Sequence, residues 1–112
     1  MNYDKPKGSV IDYDKLVRDK VPEIIKTFDR IPFTHTAEGD VYIQKLKAKL
    51  LEEVNEFIDT DKEKELADIL EIIYTICESK GIELAELEVT RRQKAKEKGS
   101  FKQKLILEKV EY

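Results

Sequence analysis

Apolar positions recur at the helical period through most of this chain. From Asp40 to Ile58, the residues Ile43, Leu46, Leu50, Leu51, Val54, Phe57 and Ile58 share one arc, which predicts an amphipathic helix with Asp40 as its N-cap. Asp59-Thr60-Asp61 interrupts the pattern with residues that favour turns and caps. A second helix is predicted from Lys62 to Ser79, with Gly81 at its C′ position. There Leu66, Ala67, Ile69, Leu70, Ile72, Ile73, Tyr74, Ile76 and Cys77 cover more than half the circumference. Such a helix is central to a bundle or buried between copies. Upstream, Pro22 suits the first turn of a shorter helix carrying Ile24, Ile25 and Phe28, which ends near Arg30 ahead of Pro32. Residues 31–39 read as a loop or short strand. A last helix from Glu83 to Lys98 is apolar only in its first half and is closed by Gly99. Near the C-terminus, Leu105 and Leu107 fall on one side and Ile106 and Val110 on the other, which predicts a short strand with residues 14–18 as its partner. The expected architecture is mainly α, a helical bundle with room for a two-stranded β element.

The polar positions that break this pattern are the informative ones. Glu53 and Glu56 stand three apart on the first long helix, and Glu65 and Asp68 three apart on the second. Residues at that spacing share a helix face. Glu53 falls at the edge of its apolar arc, Glu56 further round and Glu52 further still. Glu65 falls inside the arc of the second helix and Asp68 at its edge. Acidic pairs at this spacing are common on solvated helices. A carboxylate inside an apolar arc is different, because an unpaired buried charge is costly and favours the protonated form. Two antiparallel helices with a short turn could bring all four to one spot, where a hard cation such as Mg²⁺ relieves the repulsion. Carboxylate-held Mg²⁺ suits phosphoryl or nucleotidyl transfer to water. Arg91, Lys94 and Lys98 form a basic stripe that either grips phosphate or simply solvates a helix C-terminus. Arg18 and Lys20 are further candidates for phosphate.

Charge narrows the partners. The 112 residues carry 21 basic and 24 acidic side chains, a net charge of −3, and this gives no global signal for a nucleic-acid polymer. The N-terminal stretch lacks the apolar core of a signal peptide, and no apolar run approaches the ~20 residues that span a bilayer. Residues 1–12 read as a loosely ordered segment ahead of a single domain over 13–112. The lone Cys77 excludes an internal disulfide, reads as a small buried apolar residue and fits a reducing cytoplasm. His35, the only histidine, lies in a loop and reads as a surface residue. The Glu-x-x-His motifs of a di-iron bundle are absent from the sequence.

The stretches YDKLVRDKVPEII at 13–25, KLLEEVNEF at 49–57, ELADILEII at 65–73 and RRQKAKEKGSF at 91–101 carry a further signal. Together the chain resembles the all-α nucleotide pyrophosphohydrolases, the MazG superfamily, and is most similar to its small phosphoribosyl-ATP pyrophosphohydrolase-like branch, for which a house-cleaning role is predicted. Glu53, Glu56, Glu65 and Asp68 match that family's metal-binding, catalytic carboxylates, with Glu52 as a helper. The resemblance implies hydrolysis of a nucleoside triphosphate to monophosphate and pyrophosphate, with Mg²⁺ as cofactor and Mn²⁺ as the alternative, in a cytoplasmic homodimer or homotetramer. Residues 57–64 form a shorter linker than in many relatives, which leaves a base-recognition loop open. Hydrolysis of phosphoribosyl-ATP is the alternative within this class. A non-catalytic helical assembly or regulatory module is the alternative outside it.

Overall fold

The structure, a computed structural model, describes residues 6–112. The start of the segment expected to be loosely ordered, residues 1–5, lies outside the described residues. Four helices follow in order: α1 (Val21–Thr27), α2 (Gly39–Thr60), α3 (Glu63–Lys80) and α4 (Leu84–Lys98). The fold is mainly α, as the periodicity requires. The chain groups into two compact units, one ending at Ile76 and one comprising Cys77–Tyr112.

In the first unit, α1 is shorter than its pattern suggests. Pro22 stands in its first turn, where the missing N–H has no partner to lose. The helix stops at Thr27 rather than near Arg30, because Asp29 turns left-handed (φ 56°) and donates its N–H to the Lys26 carbonyl. Residues 31–38 are loop without strand, with His35 exposed.

The second helix, α2, starts two residues earlier than an N-cap at Asp40 implies. Glu38 is at the N-cap without a side-chain cap, and Asp40 sits inside the first turn, where its charge still opposes the helix dipole favourably. The C-terminus is closed by Asp61, which adopts φ 56° and donates its N–H to the Phe57 carbonyl at 2.8 Å. Asp61 therefore ends α2, and only Lys62 separates it from α3.

The apolar arc of α2 is only partly used. Leu46, 1% exposed, is the anchor, with Ile43, Leu50, Val54 and Phe57 half-buried around it. Leu51 and Ile58 are 61% and 69% exposed. Along the inward line Leu46, Leu50, Glu53, Phe57, one position is an acid. On α3 the corresponding line is Glu65, Ile69, Ile72, Ile76, again with an acid in an otherwise apolar row. The other half of its broad arc, Leu66, Leu70 and Tyr74 at i, i+4, i+8, remains exposed.

The second unit begins with the last turn of α3. Cys77 is buried, as a small apolar residue would be. Gly81 takes φ 70°, Ile82 donates to the Cys77 carbonyl and Gly81 to that of Glu78, which is a Schellman closure at the expected C′ glycine. The helix α4 is solvated over most of its surface and ends at Gly99, whose N–H reaches the Ala95 carbonyl.

The two-stranded element expected between residues 14–18 and 105–110 is not formed; the described residues contain no strand. The alternation in the tail is real, but Leu105, Ile106 and Leu107 are each at least 80% exposed. Residues 14–18 are instead tied to α2, where Lys45 donates to the Asp14 carbonyl at 2.7 Å and pairs with its carboxylate. Alternation without a buried face to place it on does not fix a strand. Among the described residues, no helix is long and apolar enough to cross a membrane.

Because Leu46 is the only fully buried large side chain described, Leu46→Ala should cost about 2–4 kcal/mol in urea denaturation. Phe101→Ala, at a position 98% exposed, should change stability by less than about 0.5 kcal/mol.

Candidate metal centre

The turn at Asp61-Lys62 folds α3 back against α2, and the two acid-bearing lines meet. Oxygens of Glu53, Glu65 and Asp68 lie within 4.8 Å of one another, and so do those of Glu52, Glu53 and Glu56. Glu53 belongs to both groups. The four acids expected at one spot are thus two overlapping triads joined through Glu53, with Glu56 on the exposed side beside Glu52. Glu53 is also deeper than its helical-wheel position suggests: it is 6% exposed and Glu65 5%. Asp68 is half-buried, as an edge position should be.

Two burials of this kind need compensation. Glu53 accepts from Lys49 through Oε1 at 3.4 Å, while its Oε2 is buried with no hydrogen-bond partner. A buried carboxylate oxygen without a partner costs on the order of 1–3 kcal/mol. Burial, and after it the neighbouring charge of Glu56, pushes the Glu53 carboxyl above its ordinary value against the opposing pull of Lys49. At Glu52 burial also acts upward, but Lys49 at 3.4 Å and Lys15 at 3.3 Å together outweigh it and hold that carboxyl below its ordinary value. Asp68 Oδ1 accepts from Arg18 Nη2 at 2.7 Å. Lys64, largely solvated, stands 4.0 Å from Glu65.

The donor set suits a hard cation: all oxygen, anionic, partly desolvated, with one oxygen unpartnered. An octahedral Mg²⁺ with oxygens at about 2.0–2.1 Å spaces its ligands by about 3–4.2 Å. The oxygens of the triad Glu53, Glu65, Asp68 lie within 4.8 Å of one another, close to that spacing. Glu53, Glu65 and Asp68 would hold the ion, with Glu56 and Glu52 on its open side.

The basic candidates are placed unevenly. Arg18 is at the cluster, on Asp68. Lys20 is exposed at the N-cap of the short α1 and pairs with none of these acids. Arg91, Lys94 and Lys98 are on α4, in the second unit. Arg91 donates twice to Glu88 and, with Arg92, holds that carboxyl down to about 2. Arg91 is thereby engaged on its own helix, while Lys94 and Lys98 are exposed. Two cluster residues were not singled out from the sequence, Lys49 and Lys15. Lys49 precedes Glu52 by three and Glu53 by four, a spacing that reaches both on a helix. Nothing local to Lys15 announces its partner. A cavity of about 70 Å³ lined by Lys15, Lys45, Lys49 and Glu52 adjoins the cluster, well below the roughly 300 Å³ at which ligand pockets begin.

Comparison with protein-family models, with curated proteins and with solved structures finds no match.

The raised Glu53 carboxyl has a definite sign for stability. Its neutral form is favoured in the folded state, so the contribution is lost as pH rises from the ordinary value of 4.5 through the raised one. In metal-free buffer at pH 7, Glu53→Gln should therefore melt above the wild type, and the gap should close at pH 4. Calorimetry at the two pH values checks both halves.

Proposed function

We propose that the chain is a Mg²⁺-dependent nucleotide pyrophosphohydrolase that cleaves a nucleoside triphosphate to monophosphate and pyrophosphate. The observation that carries this reading is the unpartnered, buried Oε2 of Glu53 at the joint of two carboxylate triads. Buried carboxylate oxygens are ordinarily paired, so an unpaired one calls for an explanation such as a ligand. The resemblance in residues 13–25, 49–57, 65–73 and 91–101 supplies the choice of bond. A bound Mg²⁺ supplies a water of lowered pKa and neutralises charge on the phosphate oxygens. The chain's own residues do the rest. Glu53, Glu65 and Asp68 hold the cation from the apolar side of the hairpin, and Glu56 and Glu52 orient water at its open side. Arg18 and Lys20 grip phosphate. The single cysteine, Cys77, fits a reducing, cytoplasmic setting.

The test is a nucleotide panel with Mg²⁺, including phosphoribosyl-ATP, assayed for pyrophosphate release. Wild type should turn over at least one substrate. Glu53→Gln and Asp68→Asn should lose about 10²-fold or more in turnover while remaining folded, since each removes a negative ligand but keeps shape. Full activity in both variants, together with no Mg²⁺-dependent rise in wild-type melting temperature, would mean that the acidic cluster is not the site; no pyrophosphate release from any substrate would point instead to a non-catalytic module.

A second copy is part of the same reading. The stripe Leu66, Leu70, Tyr74 on α3 is 43–48% exposed, an apolar row of the kind that marks an interface. Light scattering at micromolar concentration should give at least a dimer, and Leu70→Lys should shift it toward the monomer; a strictly monomeric wild type would contradict this.

A further inference from the structure

We propose that Arg18 and Lys49 are resident counter-ions of the carboxylate cluster, which an incoming divalent cation displaces and so frees to bind the phosphate of the substrate. This rests on the metal reading above and goes beyond it by assigning a role to Lys49 and an order to the events. The two groups each pair with carboxylates of the acid triads. Arg18 Nη2 is 2.7 Å from Asp68 Oδ1, and Lys49 Nζ is 3.4 Å from both Glu53 Oε1 and Glu52 Oε1. Around the cluster, the five acids Glu52, Glu53, Glu56, Glu65 and Asp68 face four cations, Lys15, Arg18, Lys49 and Lys64. The charges nearly balance before any metal enters, and a divalent ion tips the site positive.

Geometry makes co-residence costly. With a metal–oxygen distance of about 2.1 Å, an ion on Asp68 Oδ1 would lie within about 4.8 Å of the Arg18 nitrogen, and one on Glu53 Oε1 within about 5.5 Å of Lys49. Repulsion from a divalent ion at that range is twice that between unit charges. Arg18 is 59% exposed and can swing outward at little cost; Lys49, at 19%, keeps its stem buried and has Glu52 as well as Glu53 within reach of its ammonium. A polyphosphate arriving on the metal would then offer both an anionic partner, Lys49 alongside its remaining pair with Glu52. Before metal entry they lessen the self-repulsion of the acids; afterwards they are released toward the substrate.

The test titrates Mg²⁺ alone into metal-free wild type, Arg18→Gln, Lys49→Met and the control Lys47→Met, on the same helix but outside the cluster. By calorimetry, Arg18→Gln and Lys49→Met should bind Mg²⁺ about fivefold or more tightly than wild type, and Lys47→Met within about twofold. Because Lys49→Met leaves Glu53 without its partner, a second readout uses wild type only: the Arg18 Nε–H NMR signal should shift and broaden as Mg²⁺ saturates. At saturating Mg²⁺, Arg18→Gln should raise KM for the nucleoside triphosphate more than it lowers kcat. If wild type binds Mg²⁺ but its Arg18 signal stays fixed and both variants bind no better than Lys47→Met, the exchange is wrong and the metal site stands. If wild type binds no Mg²⁺, the metal reading falls and this proposal with it.

Discussion

The structure turns on one costly placement: Glu53 and Glu65 occupy inward positions of the α2–α3 hairpin where apolar residues would be cheaper. Each takes the place of a Leu or Ile in a row that otherwise builds the core, and one oxygen of Glu53 has no partner at all. A chain that needed only a stable hairpin gains nothing from this arrangement. The surrounding features follow from it. Lys49 sits one turn upstream on the same helix to reach Glu53, and Lys15 is carried in on a segment pinned to α2 by Lys45. Arg18, a few residues on, meets Asp68. The N-terminal segment thus serves as the electrostatic lining of the hairpin rather than as part of a sheet.

The same placement explains why the core is thin. Leu46 is the one large side chain described as fully buried, and much of the remaining apolar surface on α2 and α3 faces outward. Positions given to acids cannot contribute hydrophobic burial, and Leu66, Leu70 and Tyr74 contribute it only if something covers them. Active sites commonly carry such locally unfavourable choices, with stability recovered elsewhere.

What the sequence revealed and what it hid divide along physical lines. The long helices were legible to within a residue or two because their period is strong and their ends carry turn chemistry, as at Asp61 and Gly81. The acids were legible for the same reason: a charge inside an apolar period stands out. The rotation of each helix was not, since periodicity defines an arc but the partner chooses which part of it turns inward. Hence Glu53 is buried rather than marginal, and Leu51 and Ile58 are exposed. The cations at the cluster were half legible: Lys49 by its spacing, Lys15 not at all, because its contact depends on where an irregular segment is laid. The tail pattern misled because alternation specifies a strand only when there is a surface to receive it.

The central claim is that Glu53, Glu65 and Asp68 form a divalent-cation site. Mn²⁺, which uses the same oxygen donors and is paramagnetic, tests it directly in a ¹⁵N NMR titration. Amide signals around residues 53, 65 and 68 should broaden first, at substoichiometric Mn²⁺, and recover when excess Mg²⁺ is added. Broadening spread evenly over solvated acids such as Glu23, Glu63 and Glu97, or none that Mg²⁺ reverses, would contradict the account.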